Sequence, residues 1–323
     1  MALEIVIRER TKLLYISGYG RSGSTILANL LGAYDGFCSA GEIQAVWERP
    51  GITGDLPKLD GGWLCGCGAQ ITHCDLWSSV HKQAFGGFGN VRYEVFERLR
   101  KGLDNTRYAP MMALPAWRRS VKKRLQKYAE AVAPLYDALH AVTGCRVLID
   151  ESKLPLLPYT LAWLEGFELY IVHLVRDSRA SAFSWKRRVE RPDTLRRAHI
   201  AQFGTGQSAL NWAARNLVAE VVGASFPRRY MRITYEKFVA CPRETVMKIF
   251  GMLGEEPSGD PFLTDHEVVL GVNHTVWGNP SRLRIGPTRL EPDEEWKSKM
   301  SWTDKWLVSS VTWPLLLRYG YSV

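Results

Sequence analysis

The sequence has few cysteines and lacks a long hydrophobic run, and these two shortages exclude several classes of protein. Six cysteines among 323 residues are too few for a disulfide scaffold. An apolar segment near the carboxyl end, Trp306 to Leu317, is shorter than a membrane span and contains Pro314. Charged residues interrupt the amino-terminal segment before a signal-peptide core can form. We therefore expect a soluble, cytoplasmic protein with a packed C-terminal helix and no transmembrane segment.

Internal repeats and low-complexity tracts are also missing, and 46% of the residues are hydrophobic, enough to fill a real core. The formal net charge is +9, from 42 Lys and Arg against 33 Asp and Glu. A basic balance of this size suits an anionic ligand, nucleic acid included, but solubility alone also explains it. Composition therefore predicts a folded domain and does not identify its ligand.

Short apolar runs followed by helical patterns predict an α/β fold with a central parallel sheet, because strands covered on both faces are continuously apolar. The predicted strands are residues 12–17, 145–150, 168–175 and 229–234. A further apolar pattern predicts a core-packed helix near residues 206–226, with Trp212 in a packing role. Its expected buried face comprises Leu210, Ala213, Ala214, Leu217, Val218, Val221 and Val222.

The pattern changes between residues 60 and 140, where a glycine-rich stretch, a Met, Pro and Trp run and a basic helix replace the alternating units. We interpret this segment as a helical insertion within a single domain that spans residues 1–323. Two roles stay open for the insertion. It is either a solvated helical layer or a lid over an acceptor pocket, and a lid could also touch a membrane surface.

The first motif is the glycine-rich loop after the first predicted strand, in which Gly18 and Gly23 have the spacing of a nucleotide-binding P-loop. The lysine position of that loop holds Ser24 instead. Backbone amides at the start of the following helix can bind an anion without that lysine. Arg21, Ser22 and Thr25 add donors, so the loop suits one phosphate-like group. The alternative is a glycine turn that holds no ligand.

The second motif follows the third predicted strand, where Arg176 ends the strand and Ser184 lies eight residues later. This pair can hold a second phosphate, although an ion pair of Arg176 or Arg179 with Asp177 would be ordinary. Together, the two motifs resemble those of the sulfotransferases that use 3′-phosphoadenosine 5′-phosphosulfate (PAPS). The resemblance spans residues 12–35, 145–255 and 270–323, and is closest to the carbohydrate, protein-tyrosine and bacterial branches of that family.

This resemblance implies a P-loop-like, three-layer α/β/α fold, and PAPS as the cofactor, with PAP as the product. One departure is that the cytosolic branch has a catalytic lysine in the loop where this sequence has Arg21. The implied cofactor-binding residues are Gly20, Arg21, Ser22, Gly23, Ser24 and Thr25 in the loop, Arg176 and Ser184 for the 3′-phosphate, Tyr235 near the adenine, and Asn279 and Arg282 in a clamp. Tyr235 could equally be a core residue, and the segment of the clamp could be a solvated loop.

Three residues are expected to carry the chemistry. The resemblance implies that Glu42 is the general base, although Ser39 and Glu42 also form a capping-box pattern at a helix start. Arg21 and Lys153 would stabilise the charge that develops on the departing phosphate. The alternative for Lys153 is a surface ion pair with Glu151.

Cys65, Cys67 and Cys74, with His73 beside the last, could bind zinc, but the C-x-C spacing is tighter than in common zinc sites. We therefore expect no metal. His173 lies in an apolar strand and is expected to be a core residue, whereas His274 could lie near the cofactor. Five arginines are expected on a solvated face, namely Arg187, Arg188, Arg191, Arg196 and Arg197.

The sequence thus predicts in-line transfer of a sulfuryl group from PAPS to a hydroxyl or amine of a small-molecule, glycan or lipid acceptor, with no nucleic acid as partner. Two other functions stay open. A kinase or other NTPase would share the fold, although Ser24 argues against it. A protein without enzymatic activity could bind an anionic polymer through the basic insertion.

Overall fold

The computed structural model of the protein describes residues 10–47, 64–101, 103, 106, 115–194 and 198–323. Its strands are β1 (Thr11–Ser17), β2 (Phe37–Ser39), β3 (Val147–Asp150), β4 (Phe167–Val175), β5 (Glu190–Arg191), β6 (Ala198–His199), β7 (Tyr230–Thr234), β8 (Phe262–Thr264), β9 (Glu267–Leu270) and β10 (Gly286–Arg289). Its α-helices are α1 (Ser24–Leu31), α2 (Asp75–Phe85), α3 (Tyr93–Arg100), α4 (Pro115–Thr143), α5 (Leu157–Leu161), α6 (Ser178–Lys186), α7 (Thr205–Gly223), α8 (Tyr235–Ala240), α9 (Pro242–Leu253), α10 (Glu295–Lys299) and α11 (Trp302–Arg318).

Within the described ranges, five of these strands form one parallel sheet in the order β2-β3-β1-β4-β7. Strand β1 is central, and its residues alternate between two cores. Leu13 and Tyr15 pack into the core on one face, and Leu14 and Ile16 pack into the core on the other. This double burial explains why the strand is apolar without interruption. The predicted fold class, a parallel α/β sheet covered by helices, is confirmed.

The sheet topology brings several polar segments to one edge. Because all five strands run parallel, the loops that follow β1, β3, β4 and β7 leave from the same edge of the sheet. In such folds, ligands bind outside the carboxyl ends of the strands where the strand order changes direction. The four predicted strands are confirmed to within two residues. Strand β2 and the antiparallel sheet β10-β9-β8 were not predicted.

The helix α7 is present, and Val218 and Val222 are buried as predicted, but the rest of the predicted face is not. Leu210 and Leu217 are exposed by 62% and 51%, whereas Trp212 and Asn216 are buried. The reason is specific hydrogen bonding: Trp212 donates to the backbone oxygen of Arg176 and Asn216 bonds the ring of buried His173. These two polar contacts therefore determine which face of the helix is buried, and the spacing of apolar residues alone does not predict that face.

The insertion between residues 60 and 140 lies partly outside the described residues. Its described helices α2, α3 and α4 pack into the larger core, where Trp77, Tyr128 and Tyr136 are completely buried. No helix among the described residues has the length and apolar character needed to cross a membrane. The C-terminal helix α11 turns Val308 and Leu316 inward.

Candidate functional site

A cavity of about 180 Å³ lies at the carboxyl edge of the sheet, where the loops after β1 and β3 approach the segment 277–281. The cavity combines polar groups with two tryptophans. Its lining residues are Gly20, Arg21, Gly23, Ser24, Thr25, Ile26, Glu42, Lys153, Trp185, Arg191, Ile200, Trp277, Gly278, Asn279 and Ser281. The structure therefore brings the glycine-rich loop and Glu42 together with Lys153, which follows both of them by more than a hundred residues in the sequence.

The glycine-rich loop needs a glycine at position 23. Gly23 has φ 88° and immediately precedes α1, and a Cβ there would lie 2.6 Å from the ring of Tyr235. Only glycine combines this left-handed backbone with so close an approach. The hydroxyl of Ser22 is buried and has no hydrogen-bond partner in the described part of the chain. An unpaired buried donor in such a loop is consistent with binding of an anion.

Glu42 and Lys153 form an ion pair inside the cavity. Nζ of Lys153 donates to Oε1 of Glu42 at 2.8 Å and contacts Oε2 of Glu151 at 3.4 Å. The hydroxyl of Thr25 donates to the same oxygen of Glu151 at 3.1 Å. A carboxylate, an ammonium group and a second carboxylate are thus joined to the first turn of α1.

Burial and charge have opposite effects in this cluster. Burial raises the pKa of the Glu151 carboxyl group, and the nearby charge of Lys153 only partly offsets it. For Lys153, burial acts to lower the pKa, but the carboxylates of Glu151 and Glu42 outweigh it and hold the pKa above its usual value. Lys153 also has φ 55°, an uncommon value for a residue with a side chain. Its ammonium group is therefore charged and held in position between the two carboxylates.

The contacts of Glu42 do not support the capping box. The backbone N–H of Glu42 donates to the oxygen of Val276, and its carboxylate accepts from Lys153. The hydroxyl of Ser39 has no hydrogen-bond partner in the described ranges, whereas a capping residue would bond the first helical turn. The carboxylate of Glu42 is thus available to the cavity.

The second motif lies beside the loop. Nε of Arg21 donates to the hydroxyl of Ser184 at 3.0 Å, and Nη1 of Arg176 donates to the backbone oxygen of Arg21 at 3.2 Å. Arg176 is buried, lies 4.5 Å from the ring centroid of Tyr235, and has an Nε without a partner among the residues described. The two motifs are therefore in direct contact, and Tyr235 packs between Gly23 and Arg176.

Positive charge is concentrated around Arg21. Burial, together with the neighbouring guanidinium groups of Arg187 and Arg176, lowers the pKa of Arg21 to about 10. Asp293 offsets part of this charge, since it pairs with Arg176 at 3.1 Å and with Arg187 at 3.2 Å. A site with several mutually repelling cations and few anions favours a ligand with more than one negative charge.

The segment after β9 only partly matches the expected clamp. Asn279 lines the cavity, but its side chain accepts from the backbone of Ser281. Arg282 is fully buried outside the cavity and pairs with Asp193 at 3.0 Å. Burial acts to raise the pKa of the Asp193 carboxyl group, but the guanidinium groups of Arg191 and Arg282 outweigh it and hold the pKa below its usual value. The pairing therefore keeps this buried carboxylate charged. Arg282 is thus a buried structural residue and does not line the cavity.

The solvated arginine face is only partly present. Arg188 is exposed, and Arg187 is half-buried against Asp293 and Glu295. Arg191 contradicts the expectation, because it is buried, lines the cavity and stacks 3.5 Å from the ring centroid of Trp277. Its pairing with Asp193 at 2.7 Å is the physical reason. Arg196 and Arg197 lie outside the described residues.

No histidine among the described residues lines the cavity. His173 is buried with both ring nitrogens bonded, to Tyr230 and to Asn216, as expected for a core residue. His274 lies beside the sulfur atoms of Cys65 and Cys74 and does not line the cavity. The sequence suggested His73 as the partner of the cysteines. His73 is exposed in the structure, with Nδ1 3.1 Å from the hydroxyl of Thr72.

Several residues of the site were missed at the sequence level. Glu151 was considered only as a partner of Lys153, although an acidic residue directly after a buried strand is a detectable signal. Trp185 follows Ser184 directly and could have been found from that position. Trp277 and Asp293 lie in a segment without regular periodicity, so local sequence gave no signal for them.

The sequence model of the Sulfotransferase family matches residues 14–258. No curated protein sequence matches the chain. Among solved structures, the chain is similar to a sulfotransferase domain from the curacin biosynthetic pathway, with 15% identity, a TM-score of 0.51, and coverage of 98% of this chain and 99% of that chain. It is also similar to a sulfotransferase domain from the Synechococcus PCC 7002 olefin synthase, with 18% identity, a TM-score of 0.46, and coverage of 98% and 97%. At 15% identity, the likeness to the curacin-pathway domain concerns the fold alone.

Proposed function

Because the chain belongs to the sulfotransferase family, we propose that it moves a sulfuryl group from PAPS to a hydroxyl or amine of an acceptor. The observation that carries the proposal is the ion pair of Glu42 with Lys153, 2.8 Å apart, in a cavity that the glycine-rich loop also lines. A base, a cation and an anion-binding loop are the groups that in-line transfer to a hydroxyl requires.

The residues present fit PAPS. The buried hydroxyl of Ser22 and Nε of Arg176 both lack partners in the described ranges, and Gly23 permits the close approach of the Tyr235 ring to the loop. The loop residues 20–25 would hold the 5′ end, and Arg176 with Ser184 would hold the 3′-phosphate. Tyr235, which packs between Gly23 and Arg176, would lie near the adenine. When bound, PAPS supplies an activated sulfuryl group and departs as PAP.

Different side chains of the cavity would carry proton transfer, charge stabilisation and the exclusion of water. Lys153 bonds Oε1 of Glu42 and so fixes the carboxylate, which takes the proton of the acceptor hydroxyl as the hydroxyl attacks. The charged Lys153 and Arg21 stabilise negative charge that develops on the departing phosphate. Trp185, Ile200 and Trp277 form apolar walls that exclude water and strengthen these electrostatic interactions.

The rival function in the same fold is phosphoryl transfer from a nucleoside triphosphate. That chemistry uses a loop lysine and a Ser or Thr on Mg²⁺. Here the position of the lysine holds Ser24, and the hydroxyl of Thr25 is bonded to Glu151. These contacts support the sulfuryl donor over the triphosphate.

The experiment is a transfer assay with ³⁵S-labelled PAPS against a panel of phenols, sugars and hydroxylated lipids, run beside γ-³²P-ATP with Mg²⁺. We expect label transfer from PAPS to at least one acceptor, without added Mg²⁺. Transfer from ATP that depends on Mg²⁺, together with no transfer from PAPS, would favour the kinase. Tight binding of anionic polymer with no binding of PAP would favour the non-enzymatic function.

A further inference from the structure

Four side chains that commonly bind metal converge outside the cavity. They are Cys65, Cys67, Cys74 and His274, and their ligand atoms all lie within 4.8 Å of one another. Two hundred residues separate Cys74 from His274, so the fold and not local sequence creates the cluster. All of the cysteines in it are free thiols in the structure.

The distances within the cluster fit a tetrahedral zinc ion. Zn–S bonds of about 2.3 Å at tetrahedral angles place two sulfur atoms about 3.8 Å apart, and a sulfur and a nitrogen slightly closer. The sulfur atoms of Cys67 and Cys74 are 3.8 Å apart. Nδ1 of His274 lies 3.2 Å from the sulfur of Cys74 and 3.8 Å from that of Cys65. These three distances match one coordination shell, and the remaining pairs of ligand atoms lie within 4.8 Å.

The backbone around the cysteines is shaped to present them together. Leu64 and Gln70 pair in an antiparallel bridge, and the N–H of Gly68 donates to the oxygen of Cys65 across the turn between them. Gly68 has φ 87°, which favours glycine. This tight turn points two cysteines at one place and explains how a C-x-C spacing can serve one ion.

The histidine is fixed from the opposite side. Nε1 of buried Trp77 donates to the backbone oxygen of His274 at 2.7 Å, and the N–H of Gly66 donates to the oxygen of Thr275 at 3.0 Å. A Cβ at Gly66 would lie 1.9 Å from Oδ1 of Asn273, so this glycine permits the close approach of the two segments. Both halves of the cluster are therefore held in place by groups that are not themselves ligands.

We propose that Cys65, Cys67, Cys74 and His274 bind one Zn²⁺ as a structural site. Three thiolates and one imidazole satisfy the preference of zinc for sulfur and nitrogen, and four protein ligands fill the tetrahedral shell. A filled shell leaves no position for substrate, so the ion acts on structure and not in the reaction. The proposal departs from the expectation of no metal drawn from the sequence, which paired the cysteines with His73.

The proposed zinc site includes a residue that lies close in sequence to one wall of the cavity. His274 lies three residues before Trp277 and four before Gly278, both of which line the cavity. The ion would thus fasten the turn at residues 64–74 to the segment that forms one wall of the candidate active site. Loss of the ion should therefore loosen that wall as well as the turn.

The test measures metal in protein purified without a chelating affinity column, by inductively coupled plasma mass spectrometry. We expect about one zinc per chain in the wild type and in the controls His73→Ala and Cys241→Ser, since His73 is exposed and Cys241 lies outside the cluster. Zinc should fall at least tenfold in His274→Ala and Cys65→Ser. Wild-type protein without stoichiometric zinc, or zinc kept by His274→Ala and lost by His73→Ala, would overturn the assignment.

A second measurement needs no variant and covers the case in which the variants fail to fold. Zinc in the wild type is replaced by Co²⁺, and the visible spectrum is recorded. Tetrahedral coordination by three sulfurs should give intense d–d bands and a sulfur-to-cobalt charge-transfer band. A weak spectrum without the charge-transfer band, or a disulfide among the three cysteines found by mass spectrometry of the native protein, would contradict the proposal. Neither readout depends on sulfuryl transfer.

Discussion

The carboxylate of Asp293 lies 3.1 Å from the buried guanidinium of Arg176, where the proposed function requires the 3′-phosphate of PAPS to bind. The same carboxylate lies 3.2 Å from Arg187. Burial opposes ionisation of Asp293, yet these two arginines hold its pKa below the usual value. Asp293 thus partly neutralises the two arginines, and we propose that it competes with the 3′-phosphate for them.

Asp293→Asn should strengthen the binding of PAP. Removal of the competing charge leaves Arg176 and Arg187 free to pair with the 3′-phosphate, and we expect affinity to rise about 3- to 10-fold, or about 0.7 to 1.4 kcal/mol. Isothermal titration calorimetry measures this, with Glu294→Gln as the matched control, since exposed Glu294 pairs only with Lys297 among the described residues. Weaker binding by Asp293→Asn would mean that Asp293 supports the arginines and does not compete with the ligand.

Glu42→Gln should abolish most of the activity while the fold and PAP binding persist. Gln keeps the shape and the hydrogen bond to Lys153 but cannot take a proton, so we expect kcat to fall ~10²-fold or more. Glu255→Gln is the control, because Glu255 also pairs with a lysine, Lys12, away from the cavity. Near-normal kcat in Glu42→Gln would exclude the carboxylate as the base.

Gly278→Ala should reduce kcat and stability together. Gly278 has φ 112°, and its Cβ would lie 3.5 Å from Oε1 of Glu151 and 3.7 Å from Oε1 of Glu42. The strained backbone should cost about 1 to 3 kcal/mol, and the methyl group would occupy the cavity. Gly251→Ala in α9 is the control, and should stabilise by about 0.5 to 1 kcal/mol because its Cβ meets nothing within 4 Å. Urea unfolding and steady-state kinetics report the two effects, and unchanged kcat in Gly278→Ala would place the reaction elsewhere.

The buried His173 should make stability fall in acid. Burial lowers its pKa to about 4, below the unfolded value of about 6.5, so the unfolded chain binds the extra proton between these values. The contribution of His173 to stability is therefore present above pH 6.5 and is lost as the pH falls toward 4. Between pH 7 and pH 4.5 we expect a loss of about 2 kcal/mol.

His173→Gln, measured by urea unfolding at the two pH values, should show a pH dependence smaller by this amount. His266→Gln, at an exposed position, should leave the dependence unchanged. An equal loss of stability in wild type and His173→Gln would show that His173 is protonated in the folded state.

Sequence patterns predicted the sheet, because continuous apolar strands and glycine-rich turns depend on neighbours along the chain. The rotation of α7 depends on hydrogen bonds that Trp212 and Asn216 make with distant groups, and no local pattern contains them. The same holds for the site. Gly23 and Arg176 were found within motifs, whereas the proximity of Asp293 to Arg176 and the pairing of His274 with the cysteines arise only in the folded chain.

We propose that the chain holds PAPS at two places, with the 5′ end at the loop and the 3′-phosphate at Arg176 and Ser184. The most direct measurement is calorimetric titration of wild type and Arg176→Ala with PAP and with adenosine 5′-phosphate, which lacks the 3′-phosphate. We expect Arg176→Ala to weaken PAP binding by about 1.5 to 3 kcal/mol, the value of a charge-assisted hydrogen bond, and to leave adenosine 5′-phosphate binding nearly unchanged. Equal losses for both ligands, or no loss for PAP, would exclude Arg176 as a ligand of the 3′-phosphate.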